Sequence, residues 1–343
     1  MSTRWRRRLA AIVTLLAIAG ACGDDAGPRT VTLLAHDFFA VTPEVLAAFT
    51  AETGIEVEIV LGGDAGVVVN QALLTAGNPV ADVLFGVDNT LLSRALAGDL
   101  FLPYTSAALG LVPEEFHADD RVTPIDFGDV CVNYDKAGFS ALAPPQTLAD
   151  LADSAYAGML VVEDPTISSP GLAFLLATIV TFGEEGAYTW RDYWTGLREN
   201  DALVVSDWGT AYYGHFSGAS DGDRPLVVSY ASSPGAELVF SDPPPEEPST
   251  AVMTAGCFRQ VEYAGILRGT KHRDEAEALI DFMLSLEFQQ DVPGAMFVYP
   301  VRTDAALPEW IDAPVSGALT MDPAEIEANR ERWLAEWTET VLR

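Results

Sequence analysis

Ser168 and Ser169 stand directly ahead of Pro170-Gly171 and a long apolar run, in the stretch VVEDPTISSPGLAFLLATIV at 161–180. The pattern reads as a strand ending at Asp164-Pro165, a short polar loop, and a helix opening near Ser169. Free backbone N–H groups at such a start, flanked by hydroxyls, suit an anion. The rest of the chain argues for the opposite charge. Its 19 Lys and Arg face 50 Asp and Glu, a net charge of −31. That balance repels nucleic acid and anionic membrane surfaces; it either attracts a cationic ligand or serves solubility alone. Four further loops follow strand-like runs: AHDFF at 35–39, GVDN at 86–89, SDWGTAYYG at 206–214 and SYASSPG at 229–235. Each sits where a strand hands over to a helix, which is the ligand-binding edge of an α/β sheet. MFVYPV at 296–301 is a further candidate.

Catalysis finds little support. The sequence has no His-Glu-x-x-His, no Gly-x-Ser-x-Gly, no Gly-x-Gly-x-x-Gly after a strand and no phosphate loop ending in Gly-Lys-Ser/Thr. His36, His117, His215 and His272 are scattered without metal-ligand spacing. We expect a binding protein with no metal and no cofactor beyond its ligand.

The elements that must position these loops begin after a leader. Arg4, Arg6, Arg7 and Arg8 precede an apolar run, Leu9 to Ala19, that is too short to span a bilayer. Gly20-Ala21-Cys22 then resembles the bacterial lipobox, with Ala19 in place of the usual Leu. That resemblance implies lipidation of Cys22 and export to the outer face of a membrane. A polar Gly/Pro stretch follows. From residue 31 the chain alternates strand and helix: strands at 31–35, 55–61 and 81–86, helices at 43–54, 66–78 and 89–99. Thr42-Pro43 opens the first helix and Gly54 ends it. The middle continues with a helix at 147–155, a strand at 159–164, a helix from Pro170 to Phe182, an aromatic-rich segment at 187–200 and strands at 202–206 and 225–230. Helices at 274–285 and 322–343 close the chain, with Trp333 and Trp337 read as packing residues.

Two extended β-type runs stand apart, at 121–136 and 251–267. If both connect two lobes, the middle of the chain is an inserted second lobe. Cys131 and Cys257 occupy matched places in the two runs, so crossing strands would bring them within bonding distance. The expected fold is α/β with two lobes, two crossover strands at the hinge and a cleft between the lobes. The expected divisions are a signal peptide at 1–21, a linker at 22–29, a first lobe at 30–126 and 262–343, and a second lobe at 127–261.

This constellation resembles a type II extracytoplasmic solute-binding protein. Six stretches, in order, make the resemblance more specific: Asp88-Asn89-x-Leu91-Leu92, Asp164-Pro165-x-x-Ser168-x-Pro170-Gly171-Leu172, Trp208-x-x-Ala211-Tyr212, Ser229-Tyr230-x-x-Ser233-Pro234, Tyr299-Pro300-Val301, and Pro323-Ala324-Glu325 through Arg330, Trp333 and Glu336-Trp337. They are similar to those of the periplasmic thiamine-binding proteins of ABC importers, over roughly Val31 to Arg343. The resemblance implies a monomer that hands thiamine, or a phosphorylated form, to a permease. It implies that Trp208 and Tyr230 sandwich the ligand. Where that family has a tyrosine after the first strand this chain has His36, and where it has a tryptophan before the Tyr-Pro-Val it has Phe297. Aromatic faces attract the thiazolium cation, and Asp37 and Asp88 add negative charge. Ser168, Ser169 and the N–H groups at Gly171 would hold a phosphate end. Tyr212 and Ser232 complete the expected contacts. A ferric-ion binder using Tyr212, Tyr213 and His36, or a polyamine or other organic-cation binder of the same architecture, stays open as an alternative.

Overall fold

The computed structural model describes residues 29–343. The leader, Cys22 and nearly all of the expected linker lie outside the described residues. No helix among the described residues is long and apolar enough to cross a membrane.

The strand–helix alternation of the first third forms a parallel set. β1 (Arg29–Ala35) pairs with β2 (Ile55–Leu61) and with β3 (Val83–Asp88). They are joined by α1 (Pro43–Thr53) and α2 (Ala65–Leu74), and α3 (Leu92–Ala97) follows β3. Pro sits in the first turn of α1, and Gly54 ends it at φ 70°, a left-handed conformation that glycine adopts without strain. After the short β4 (Phe101–Leu102) comes β5 (Thr123–Asp135).

The middle of the chain builds a second parallel set. β6 (Leu160–Glu163) leads into α4 (Ser169–Phe182) and α5 (Trp190–Glu199). β7 (Leu203–Val205) leads into α6 (Trp208–Thr210), and β8 (Leu226–Tyr230) into α7 (Ser233–Phe240). β9 (Thr250–Leu267) then returns to the first set, followed by α8 (Arg273–Met283), α9 (Leu286–Met296), β10 (Tyr299–Pro300) and α10 (Pro323–Val341). The sheet order is β2-β1-β3-β9-β5-β8-β6-β7, so the two long runs form its centre. They pair antiparallel from Thr123 opposite Ala264 to Asp135 opposite Thr250. β9 continues into β3 on one flank, and β5 into β8 on the other. This is the α/β architecture, with two central crossing strands, that the sequence implies.

Two expectations change. The stretch 147–155 is not a helix but two short 3-10 turns, Leu148–Ala152 and Ser154–Tyr156. Short acidic side chains capture the backbone there. Asp150 accepts from the N–H groups of Gln146 and Thr147, and Asp153 from that of Ala155, which favours turns over a continuous helix. The C-terminal helix does not belong to the first set alone. α10 packs against both α3 and α5. Trp337 lies edge-on to Trp194 at 5.6 Å, and Arg191 and Arg332 reach Glu336 and Glu184. Trp333 and Trp337 are buried, as packing residues should be.

The pairing of β5 with β9 breaks between Val130 and Val132, where β9 bulges from Met253 to Phe258. Gly256, at φ 84°, makes that excursion possible. The bulge carries Cys257 to Cys131, and the two are joined in a disulfide across a sequence separation of 126 residues.

The central strands also gather buried acids. Asp126 of β5 and Glu262 of β9 are cross-strand partners. Burial, and next the Glu262 charge, hold the Asp126 pKa well above the usual carboxylate range. Burial does the same to Glu163 on β6 and lifts Asp88 to about 6. An acid raised on folding takes up a proton as the chain folds. Its destabilising effect is absent below its unfolded pKa and fully present above its folded one.

Two outcomes follow for stability. Replacing Cys131 and Cys257 together by Ala should lower the unfolding free energy in urea by about 2–5 kcal/mol. In the unmodified protein neither thiol should take up iodoacetamide before reduction, as read by intact mass. The melting temperature of the ligand-free protein should rise as pH falls from 7.5 to 5.5, because Asp88, Asp126 and Glu163 are protonated on folding. A melting temperature that falls over that interval would show that these acids are ionised in the fold at no cost.

Candidate functional site

A cavity of about 500 Å³ opens between the two parallel sets, at the ends of β1 and β8 and the starts of α2, α4 and α7. Residues 36–40 after β1, with Asp64 and Ala65, form one wall. Ser169, Pro170, Trp208, Tyr212, Tyr213, Tyr230, Ser232 and Ser233 form the other. Gln260 and Glu262 of β9 lie at the base, and Phe240 and residues 294–298 close one end.

Trp208 organises the aromatic part. Its position follows from Asp207, whose carboxylate accepts from the N–H and hydroxyl of Thr210 and so opens the turn of α6. Tyr212 stacks on the indole at 4.9 Å and 18°. Phe38 and Tyr213 meet it edge-on at 4.7 and 5.4 Å, and Tyr230 lies at 6.5 Å. The indole N–H donates to Ser229 Oγ at 3.0 Å, and the Tyr230 hydroxyl donates to Gln260 Oε1 at 3.0 Å. These bonds fix the polar edges and leave ring faces for a flat ligand. At the far end Phe297 packs edge-on against Phe240 at 4.7 Å, and its carbonyl accepts from the Ser232 hydroxyl.

Carboxylates supply the polar character. Asp37, Asp64 and Glu262 line the cavity, and among the described residues no Lys or Arg does. His36 Nε2 stands 3.3 Å from Glu262 Oε1, a contact of ion-pair length whose alignment falls short of a hydrogen bond. Burial acts to lower the His36 pKa, but the Glu262 charge, with Asp64 and Asp88, outweighs it and the net shift is upward. Burial likewise acts to raise Glu262, yet His36 and the proton on Asp126 hold it below its ordinary value. Glu262 is therefore the ionised member of the pair with Asp126.

Eight of the eleven residues expected to contact thiamine line the cavity: His36, Asp37, Ser169, Trp208, Tyr212, Tyr230, Ser232 and Phe297. Three do not, and the serine loop is where the reading changes most. Asp88 is fully buried behind the wall, where its carboxylate accepts from Ser169 Oγ, Gln260 Nε2 and Thr90. Ser168, just ahead of α4, is buried and borders a small void beside Arg330 instead of the cavity. Gly171 is glycine because of packing: a Cβ there would meet the Glu163 carbonyl oxygen at 2.7 Å, so its absence lets α4 approach β6. The N–H of Ser169 is not free for an anion either, since it donates to Asp64 Oδ1 at 3.0 Å. The chain's own carboxylates thus occupy both the hydroxyl and the N–H of Ser169.

Sequence reasoning missed Asp64, Gln260 and Glu262; Phe38 and Tyr213 lie in loops it picked out, Tyr213 figuring only as an iron ligand in the alternative reading. Asp64 carried a usable signal, because it falls between β2 and α2 at a strand-to-helix handover like the other loops. Gln260 and Glu262 carried none, because the register of β9 on β5 decides which of its side chains face the cleft.

Known proteins resemble this chain in sequence and in fold. A profile of the bacterial extracellular solute-binding proteins matches residues 78–316. The thiamine-binding periplasmic protein of Escherichia coli (strain K12) is 30% identical over 320 residues, covering 91% of this chain and 94% of that one. A solved periplasmic thiamin binding protein superposes with a TM-score of 0.81 at 29% identity, covering 92% of this chain and 96% of that one. Iron-bound HitA from Pseudomonas aeruginosa superposes with a TM-score of 0.75 at 23% identity, covering 91% and 99%, a likeness of fold alone. With a matching profile over most of its length and relatives that cover nearly all of it, the chain belongs to the bacterial extracellular solute-binding proteins, as a relative of their thiamine-binding periplasmic members.

Proposed function

We propose that this protein captures the thiamine cation in the cleft and delivers it to the permease of an ABC importer, as a monomer held at the outer face of a membrane by lipidated Cys22. The observation that carries the reading is the makeup of the cavity: clustered aromatic rings beside Asp37, Asp64 and Glu262, with no Lys or Arg among the described lining residues. A desolvated cation over an aromatic face gains about 0.5–2 kcal/mol, and carboxylates nearby add to it. Trp208, Tyr212, Tyr230 and Phe38 take the rings in this reading, and the acidic groups take the charge. The role is capture and transfer, not catalysis. The leader and Cys22 argue for export and anchoring from sequence.

A phosphorylated form asks more of the site. Its phosphate would need the N-terminus of α4, and there Asp64 already accepts from Ser169. Binding of the monophosphate therefore requires Asp64 to give way or to hold a proton, and burial does raise the Asp64 pKa. The ferric-ion alternative fits less well. A hard ferric ion takes convergent oxygen ligands, whereas Tyr212 lies stacked on Trp208 and the rings of Phe38, Trp208, Tyr230 and Phe297 crowd the cavity.

Native mass spectrometry of protein purified without denaturation should detect thiamine or one of its phosphates as the carried ligand. By calorimetry, Trp208→Ala should weaken thiamine by about 1–3 kcal/mol; an unchanged affinity would remove Trp208 from the ligand's surroundings. Asp64→Ala should shift the ratio of monophosphate to thiamine affinity about tenfold toward the phosphate, by freeing a donor worth about 1.5–3 kcal/mol to a charged partner. An unaltered ratio would put the phosphate away from α4.

A further inference from the structure

His36 ends the loop side of β1 and is packed closely. Phe85 lies 5.6 Å away between ring centroids. Gly86 has φ 90°, and a Cβ there would meet His36 Cδ2 at 2.4 Å, so the glycine leaves the room that the imidazole fills. Nδ1 accepts the backbone N–H of Phe38 at 3.2 Å. That bond fixes the neutral tautomer, with the proton on Nε2 facing Glu262 Oε1. A second proton can go only to Nδ1, where the Phe38 N–H already points. Charging the ring therefore breaks the bond that holds Phe38, whose ring edge packs on Trp208.

Opposed forces act on that second proton. Glu262 from β9, Asp64 from the turn before α2 and Asp88 from the end of β3 all favour the charged ring. Asp126 of β5 sits behind Glu262 and holds its own proton. Asp37, next in the chain, turns its carboxylate to the Gly63 N–H instead. Against these stand burial and the Phe38 N–H. His36 and Glu262 both line the cavity, so a ligand cation and the imidazolium would share the same counter-charges.

Building on the thiamine-cation reading, we infer that His36 sets the charge specificity of the cleft by proton exchange: an entering cation takes over Glu262 and Asp64, and the second proton of His36 leaves to solvent. Charge at the site is conserved in that step, with one positive charge replacing another. The Phe38 N–H regains its acceptor, and Phe38 settles against Trp208 as the ligand arrives. Low pH works against capture, because the ring then carries its own positive charge and the loop loses its tie.

The test is calorimetry with thiamine between pH 6 and 8, in pairs of buffers of different ionisation enthalpy. Release of a proton on binding is expected in the lower part of that range, with Kd rising about tenfold per pH unit below the His36 pKa. The His36→Gln variant should show no such slope, whatever its affinity. Titration of the imidazole resonances of the unmutated protein gives the same answer without a variant: the His36 pKa should drop on loading with thiamine. Thiamine binding with no proton release and an unmoved His36 pKa overturns the inference but leaves the proposed ligand standing. A slope that persists in His36→Gln moves the exchange to the carboxylates and also overturns it. No thiamine binding at any pH overturns the functional reading itself.

Discussion

The antiparallel pairing of β5 with β9 is the interaction on which the remainder rests. Neither parallel set closes on its own, since each uses one of these strands as its flank. The 13 residues of β5 and 18 of β9 are long enough to serve both. They fix the angle between the two rows of strand-end loops, and so the shape of the cleft. Because side chains alternate across a strand, the register of β9 also decides that Gln260 and Glu262 face the ligand space. A slip of one residue would turn both away. The disulfide lies at the break in this pairing, where backbone hydrogen bonds are interrupted and a covalent tie compensates best.

Charge in the cleft follows a consistent plan. The chain is acidic overall, and a few of its acids are buried at the ends and centre of the sheet. Those around the cleft are offset by a neighbour's proton or by hydrogen-bond donors: Asp126 shields Glu262, the Ser169 hydroxyl and Gln260 amide hold Asp88, and the Ser169 N–H holds Asp64. The helix N-terminus that would ordinarily attract an external anion is thereby turned inward. What remains for a ligand is a set of ring faces and a small surplus of negative charge.

Much of this was legible in the sequence because it is local. The strand–helix alternation, the caps at Thr42-Pro43 and Gly54, and the loops at strand ends are written within a few residues of where they act. Trp208, Tyr230 and His36 fall on such loops and do line the cavity. What could not be read is contact over distance. Ser169 looked like an anion donor because its acceptors, Asp64 and Asp88, lie 105 and 81 residues away. Gly171 looked like a ligand contact because its real neighbour, the Glu163 carbonyl, is met only after α4 folds back on β6. The turns at 147–155 show the reverse case, where local side-chain bonds overrode a helical pattern.

The seating of α10 has a mechanical consequence. Along the chain this helix follows α8 and α9, yet its stronger seat is on α5, through the Trp194–Trp337 contact and the ion pairs of Arg191 and Arg332. Its seat near α3 is softer, with a 3.3 Å hydrogen bond from Ser93 to Glu327 and a small void beside Arg330. Any rotation of one set about the central strands must be taken up at one of these two seats. With the looser seat yielding first, such a rotation would carry α10 with the middle of the chain, although it follows the first set's helices in sequence.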